Sequence, residues 1–183
     1  MALPLLLIDE INSKSVEPII KELLACKSDK CVELYISSSG GDVDPGYALI
    51  DVMRSVPCHI TTYALGGVYS IALDIFIAGD WRVVAPMAVA MAHTADYQSP
   101  LGRAAEYTAR TKMIEVEEAR ANKLYMERTR YKTVKDLQHV LLKAQDVWMS
   151  AQEMVQHGIA DEVARPHEKT RRRTKAARRS KPY

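Results

Sequence analysis

Three side chains of the 183-residue chain could together carry acyl transfer: Ser70, His93 and Asp146. Ser70 stands in "GGVYSIALD", residues 66–74, on a glycine-supported turn where a mostly apolar helix should begin. A serine there can cap the helix by accepting from backbone N–H groups that lack intrahelical partners. It can equally be a nucleophile, activated by a base and flanked by backbone donors for an oxyanion. Caps far outnumber nucleophiles, so position alone favours the cap. His93 ends "AVAMAH", a small-residue strand, at the carboxyl edge where open α/β sheets gather their ligands. A structural histidine is the commoner occupant of such a place, and His59, His139, His157 and His167 all read as structural or surface residues. Asp146 opens "DVWMSAQE", where a capping or turn carboxylate is the ordinary role. None of the three is decisive singly.

The elements that must position them alternate. "LPLLLI" (3–8) reads as a strand, and "SVEPIIKELLACK" as a helix with Ile19, Ile20, Leu23 and Leu24 at helical spacing. "CVELYI" (31–36) is a second strand and "SSSGGD" a glycine turn. "DPGYALIDVMRSV" is a helix with Asp44 expected as N-cap and Pro45 at its first position. "CHITTYAL" (58–65), "WRVVA" and "AVAMA" are further strands around the helix after Ser70. Such alternation predicts an α/β fold of βαβ units, right-handed crossovers and a mainly parallel sheet. From Pro100 to about Tyr131 the chain becomes charged and reads as one long helix. Its thin stripe of Ala105, Ala109, Met113, Val116 and Ala119 suits packing outside its own domain. The helix "TVKDLQHVLLKA", a short strand or turn "DVWMS", the helix "SAQEMVQHG" closed by Gly158 and the strand "IADEV" follow.

Hydrophobic content of 48% suits one globular domain with a real core. Cys26, Cys31 and Cys58 form neither a CxxC pair nor an even set, which suggests neither zinc nor a disulfide framework and fits a reducing cytoplasm. "MALPLLLIDE" lacks a basic n-region, and its apolar run is too short for a signal peptide or a membrane span. The total charge of +2 hides an asymmetry: residues 165–183 carry nine Lys/Arg against one Glu, a net +8 that leaves the preceding residues at −6. This yields a domain over residues 1–164 and a basic tail over 165–183, expected to be disordered unless something anionic binds it. Nucleic acid is one such partner; the acidic body of a neighbouring subunit is another.

Taken in order, these motifs resemble the ClpP-type serine peptidases. "ELYISSSGGDVDPGYALIDVM" is similar to that family's strand, Gly-Gly turn and helix, and "GGVYSIALDIFIAG" to its nucleophile segment. "AVAMAH" resembles the strand ending in its base, and "DVWMSAQEMVQHGIADEV" the acid with the segment that follows. The interval from Gly41 to Ser70 matches without a gap. Four ordered motifs across residues 31–163 are more specific than any one of them.

The resemblance implies the ClpP/crotonase spiral with a protruding handle helix at about 100–131. It also implies a serine endopeptidase with Ser70 as nucleophile, His93 as general base and Asp146 as the carboxylate orienting His93. Gly41 and Ile71 would supply backbone oxyanion donors, and Gly40, Gly41 and Thr94 would border an extended peptide substrate. Neither metal nor cofactor is implied. Stacked heptameric rings would enclose the sites, in the cytoplasm and away from membranes. A Clp-type ATPase partner is left open, because the chain starts almost at its first strand. "SSSGG" lacks the usual proline, "HTADY" lacks the usual Gln-Pro, and Asp74 replaces a small or apolar residue one turn beyond Ser70. Buried, Asp74 needs a partner or a proton; exposed, it suits pairing with a neighbouring subunit. By analogy, a compact tail-bearing member would suit a virus-encoded peptidase. A catalytically silent ring subunit or scaffold and a crotonase-type acyl-CoA enzyme are the competing readings, and an intact Ser–His–Asp set argues against both.

Overall fold

The structure, a computed structural model, describes residues 2–94, 104–143 and 145–165, with the backbone alone for 104–109. The elements run β1 (Leu3–Ile8), α1 (Ser13–Leu24), β2 (Cys31–Ser38), α2 (Val43–Ser55), β3 (His59–Tyr69), α3 (Ile71–Ala78), β4 (Trp81–Val84) and β5 (Val89–Ala92). Then come α4 (Ala104–Arg128), α5 (Val134–Val140), β6 (Val147–Ser150), α6 (Ala151–Gln156) and β7 (Glu162–Val163). This is the mixed α/β architecture with a mostly parallel sheet that the alternation predicts.

Strand order is β1-β2-β3-β4-β7, with β5 pairing β3 and β6 pairing β5. Every pairing is parallel except β5 with β6. One strand, β3, has two neighbours on the same side because it bends. Its Thr61–Ala64 half pairs with β4 and its Gly67–Tyr69 end with β5, and the register against β2 shifts between Ile36 and Ser38. Gly66, at φ +56°, lies in that irregularity. The Gly-Gly pair expected as a turn is therefore the bend of a long strand that carries the chain on to Ser70.

Helix α3 is apolar nearly all round, so it must be buried: Ile71, Ala72, Leu73, Ile75, Phe76 and Ile77 all lie in the core. It packs between α2 and α4. Gly46 of α2 permits the close approach, since a Cβ there would lie 2.2 Å from Cγ1 of Ile71. Helix α2 begins earlier than the Asp-Pro signal suggests. Asp42 occupies the N-cap position without a side-chain cap bond, and Asp44, expected as the cap, sits in the first turn. Elsewhere the caps follow sequence: Asn12 with Ser15 and Ser150 with Glu153 form capping boxes, and Thr133 caps α5.

The long helix expected from Pro100 to about Tyr131 is Ala104–Arg128, and its first expected residues lie outside those described. Leu124 and Tyr125 near its end are buried, whereas Met113, Val116 and Ala119 of the small-residue stripe are exposed. The basic tail lies outside the described residues from 166 onward. Arg82 of β4 fixes the far edge of the sheet: its guanidinium donates to both oxygens of Asp161 at 2.7 and 2.9 Å and to the Gly158 and Arg128 carbonyls.

Candidate active site

Strand register brings the three candidate residues to one edge. Tyr69 pairs with Met91 in parallel, so Ser70 and His93 follow the ends of neighbouring strands pointing the same way. Ala92 pairs with Val147 in the antiparallel β5–β6 ladder, which sets the residue after one, His93, beside the residue before the other, Asp146. Tyr69 packs edge-to-face on Trp148 with ring centroids 5.2 Å apart, bracing this register across β5.

Ser70 occupies the N-cap position of α3, yet its side chain makes no cap hydrogen bond. Its backbone stands at φ +56°, ψ −132°, where a residue with a Cβ is strained. Its N–H donates to the Met91 carbonyl at 2.9 Å, holding the strained junction against β5. The hydroxyl instead meets Nε2 of His93 at 2.7 Å. Asp146 is further off: its Oδ1 lies 4.0 Å from Nδ1 of His93, beyond hydrogen-bond range. It is also the more open of the two, 53% exposed against 24% for His93.

The glycine turn closes over Ser70. Gly40 has φ +97°, and a Cβ there would lie 2.8 Å from Cβ of Ser70 and 2.9 Å from the Tyr69 carbonyl oxygen. Gly41 has φ +146°, and its Cβ would fall 2.3 Å from the Ile11 carbonyl oxygen. A parallel bridge joins Ile11 to Gly41 through the Gly40 carbonyl and the Asp42 N–H, at 2.8 Å each. That bridge leaves the Gly41 N–H out of its bonding. Ile71 is the first residue of α3, so its N–H has no intrahelical acceptor. Thr94 follows His93 and lines the same cavity as Ser70.

That cavity, of about 70 Å³, reaches residues that sequence reasoning did not connect. Asp74, one turn past Ser70, accepts from the Tyr47 hydroxyl at 2.9 Å, and the Tyr125 hydroxyl also donates to it. Burial pushes its carboxyl up to about 6, against the opposing effects of Tyr47, Tyr125 and Arg120. Burial, reinforced by the nearby Asp74 charge, drives the Tyr47 and Tyr125 phenols well up. The Arg120 guanidinium stacks 3.8 Å from the centre of the Tyr47 ring and reaches Asp44 at 3.6 Å. Asp74 itself was visible as a charge inside an apolar helix. Its partners come from α2 and α4, too far along the chain for spacing to reveal.

His59, read as a strand histidine, is an exposed neighbour of Asp80 at 3.7 Å. Among the described residues, no group of three or more His, Cys, Asp or Glu is placed to hold a metal, and no helix is long and apolar enough to cross a membrane.

Comparison with known proteins gives two findings. The family model described as Clp protease matches residues 3–167. The ATP-dependent Clp protease proteolytic subunit 2 of Treponema denticola is 31% identical over 173 residues, covering 88% of this chain and 81% of that relative.

Proposed function

The chain belongs to the Clp protease family, a family of serine-type peptidases, and from that premise we propose that it cleaves peptide bonds with Ser70 as nucleophile, His93 as base and Asp146 as orienting carboxylate. The observation that carries this reading is the 2.7 Å contact between Oγ of Ser70 and Nε2 of His93, made by a hydroxyl that leaves its capping role unfilled. With its proton on Nδ1, His93 presents an Nε2 lone pair to the serine hydroxyl. Attack on a peptide carbonyl then transfers the serine proton to Nε2, and collapse of the tetrahedral intermediate returns it to the leaving amine. Water repeats the sequence on the acyl-enzyme.

The negative charge on the intermediate would be received by the N–H groups of Gly41 and Ile71, where the helix start adds a favourable dipole. One such donor typically contributes about 3–4 kcal/mol to the transition state. Gly40 and Thr94 would border the extended substrate, held by β-addition between the glycine turn and the segment after His93.

Asp146 works at this geometry only if it moves toward His93. It is exposed, and a rotation about its side chain costs little. Assembly into a ring would provide the restraint, and the exposed Met113, Val116 and Ala119 on α4 and the exposed Trp148 beside Asp146 are surfaces such contacts could cover. Enclosed sites would then limit cleavage to unfolded or peptide substrates. The peptidase domain would span residues 1–164, with the basic tail at 165–183 left for an anionic partner.

The test is a fluorophosphonate probe applied to the purified protein and to Ser70→Ala, with size-exclusion chromatography on each. Labelling lost in Ser70→Ala supports the reading. An assembled wild-type protein that takes no label overturns it and favours a silent scaffold.

A further inference from the structure

The mechanism leaves Asp74 unused, although it lines the cavity that opens at the proposed nucleophile. Asp74 and Ser70 are four residues apart on and just before α3, so they share a face of the helix about one turn, or 5.4 Å, apart. The cavity between them has two kinds of wall. Val43, Ile71 and Leu142 are apolar, while Asp74 and the nearby Glu117 offer carboxylates. A cavity with apolar walls and carboxylates among its lining matches a long side chain with a cationic tip, whose methylene stem packs while its head pairs.

Asp74 keeps acceptor capacity for such a pairing. An ionised carboxylate has about four acceptor positions, and Tyr47 and Tyr125 take two of them. Arg120 favours the Asp74 charge from a distance, but its guanidinium lies over the Tyr47 ring and reaches Asp44. Asp74 is a half-buried residue that lines the cavity. Tyr47 and Tyr125 therefore orient it, and Arg120 offsets only part of the cost of burying its charge.

We propose that this cavity receives the side chain on the acyl side of the scissile bond, and that Asp74 makes it select lysine or arginine over large apolar residues. The proposal rests on the peptidase reading, because Ser70 must be the attacking group for the cavity to adjoin the acyl residue. Asp74 acts on substrate choice and takes no part in proton transfer.

The experiment compares fluorogenic peptidyl amides that differ only in the acyl residue: Lys, Arg, Leu or Met. It uses the full-length wild type and Asp74→Asn, with fluorophosphonate labelling of Ser70 run in parallel. The wild type should favour Lys or Arg by tenfold or more in kcat/KM, and Asp74→Asn should reduce that preference at least tenfold while Ser70 still labels. A wild type that favours Leu or Met overturns the proposal without any variant, so a misfolded Asp74→Asn would not shield it. An unchanged preference in a labelled Asp74→Asn overturns it too. If wild-type Ser70 takes no label, the peptidase reading fails and this proposal fails with it; intact labelling with the wrong preference removes this proposal alone.

Discussion

Ser70 and His93 are joined at 2.7 Å because each follows the end of one of two parallel strands locked in register by Tyr69 and Met91. The pair is thus placed by backbone hydrogen bonds, including the one from the Ser70 N–H to the Met91 carbonyl. Backbones held this way keep the two side chains within reach of each other. The bend in β3 at Gly66 is what allows it, since β3 can reach β5 only after leaving β4.

The junction at Ser70 stores backbone strain. Ser70→Gly should raise the unfolding midpoint over Ser70→Ala, because glycine accepts φ +56° while alanine keeps the clash. The gain should be about 1–2 kcal/mol, or several degrees in Tm for a domain of this size. Both variants should lose fluorophosphonate labelling. Equal midpoints by calorimetry would mean that the junction is relaxed.

Gly40→Ala should slow labelling of Ser70 by roughly 100-fold, since the new Cβ would sit 2.8 Å from Cβ of Ser70 and displace it. Gly66→Ala is the matched control. Gly66 also has positive φ, but its Cβ would meet only Oγ of Ser37 at 3.3 Å. Alanine can hold the left-handed conformation at a cost of about 1–2 kcal/mol, so the bend should persist and the variant should lose stability while labelling at close to the wild-type rate. Similar labelling losses in both variants would indicate general damage to the fold and would count against a specific clash.

The sheet was legible because every second residue of a strand is buried, as Val32, Leu34 and Ile36 are in "CVELYI" and Ala90 and Ala92 in "AVAMA", and that period of two is written in the sequence. The helix boundaries were less so: Asp44-Pro45 carries a start signal, yet the chain turns two residues earlier, where Gly41 must fit against Ile11. Nor could spacing show that Gly66 and Gly67 bend a strand. A turn and a bulge use the same residue type, and only pairing partners distinguish them. The candidate serine and histidine stood out in motifs. The environment of Asp74 did not, because Tyr47, Arg120 and Tyr125 converge on it from two helices whose packing is a tertiary fact.

Asp74 should cost stability at neutral pH. Its folded-state value of about 6 lies above the 3.8 of a free aspartate, so the fold favours the protonated form. That favourable contribution is complete below about pH 4 and is lost as pH rises through 6, a difference of about 3 kcal/mol. Asp74→Asn, neutral throughout and able to accept from Tyr47 and Tyr125, should be the more stable protein at pH 7.5. The gap should narrow toward pH 4. Urea midpoints at both pH values check this, and a wild type more stable than Asp74→Asn at pH 7.5 would show that Arg120 and the tyrosines fully compensate the charge.

Asp146 is the member of the proposed set whose contribution should depend on assembly. In the single chain it stands 4.0 Å from Nδ1 of His93 and is 53% exposed, so water screens whatever it contributes to the imidazolium. If subunit contacts restrain it against His93, the assembled protein should lose activity sharply in Asp146→Asn, by up to about 10⁴-fold, as when an orienting carboxylate is removed from a formed triad. The unassembled protein should barely notice the change, because its Ser70–His93 pair already lacks that support. His93→Ala should abolish labelling in both forms. Labelling rates measured across a dilution series, with assembly followed by light scattering, separate these cases. An Asp146→Asn defect of equal size in ring and monomer would place the orienting carboxylate fully within one chain.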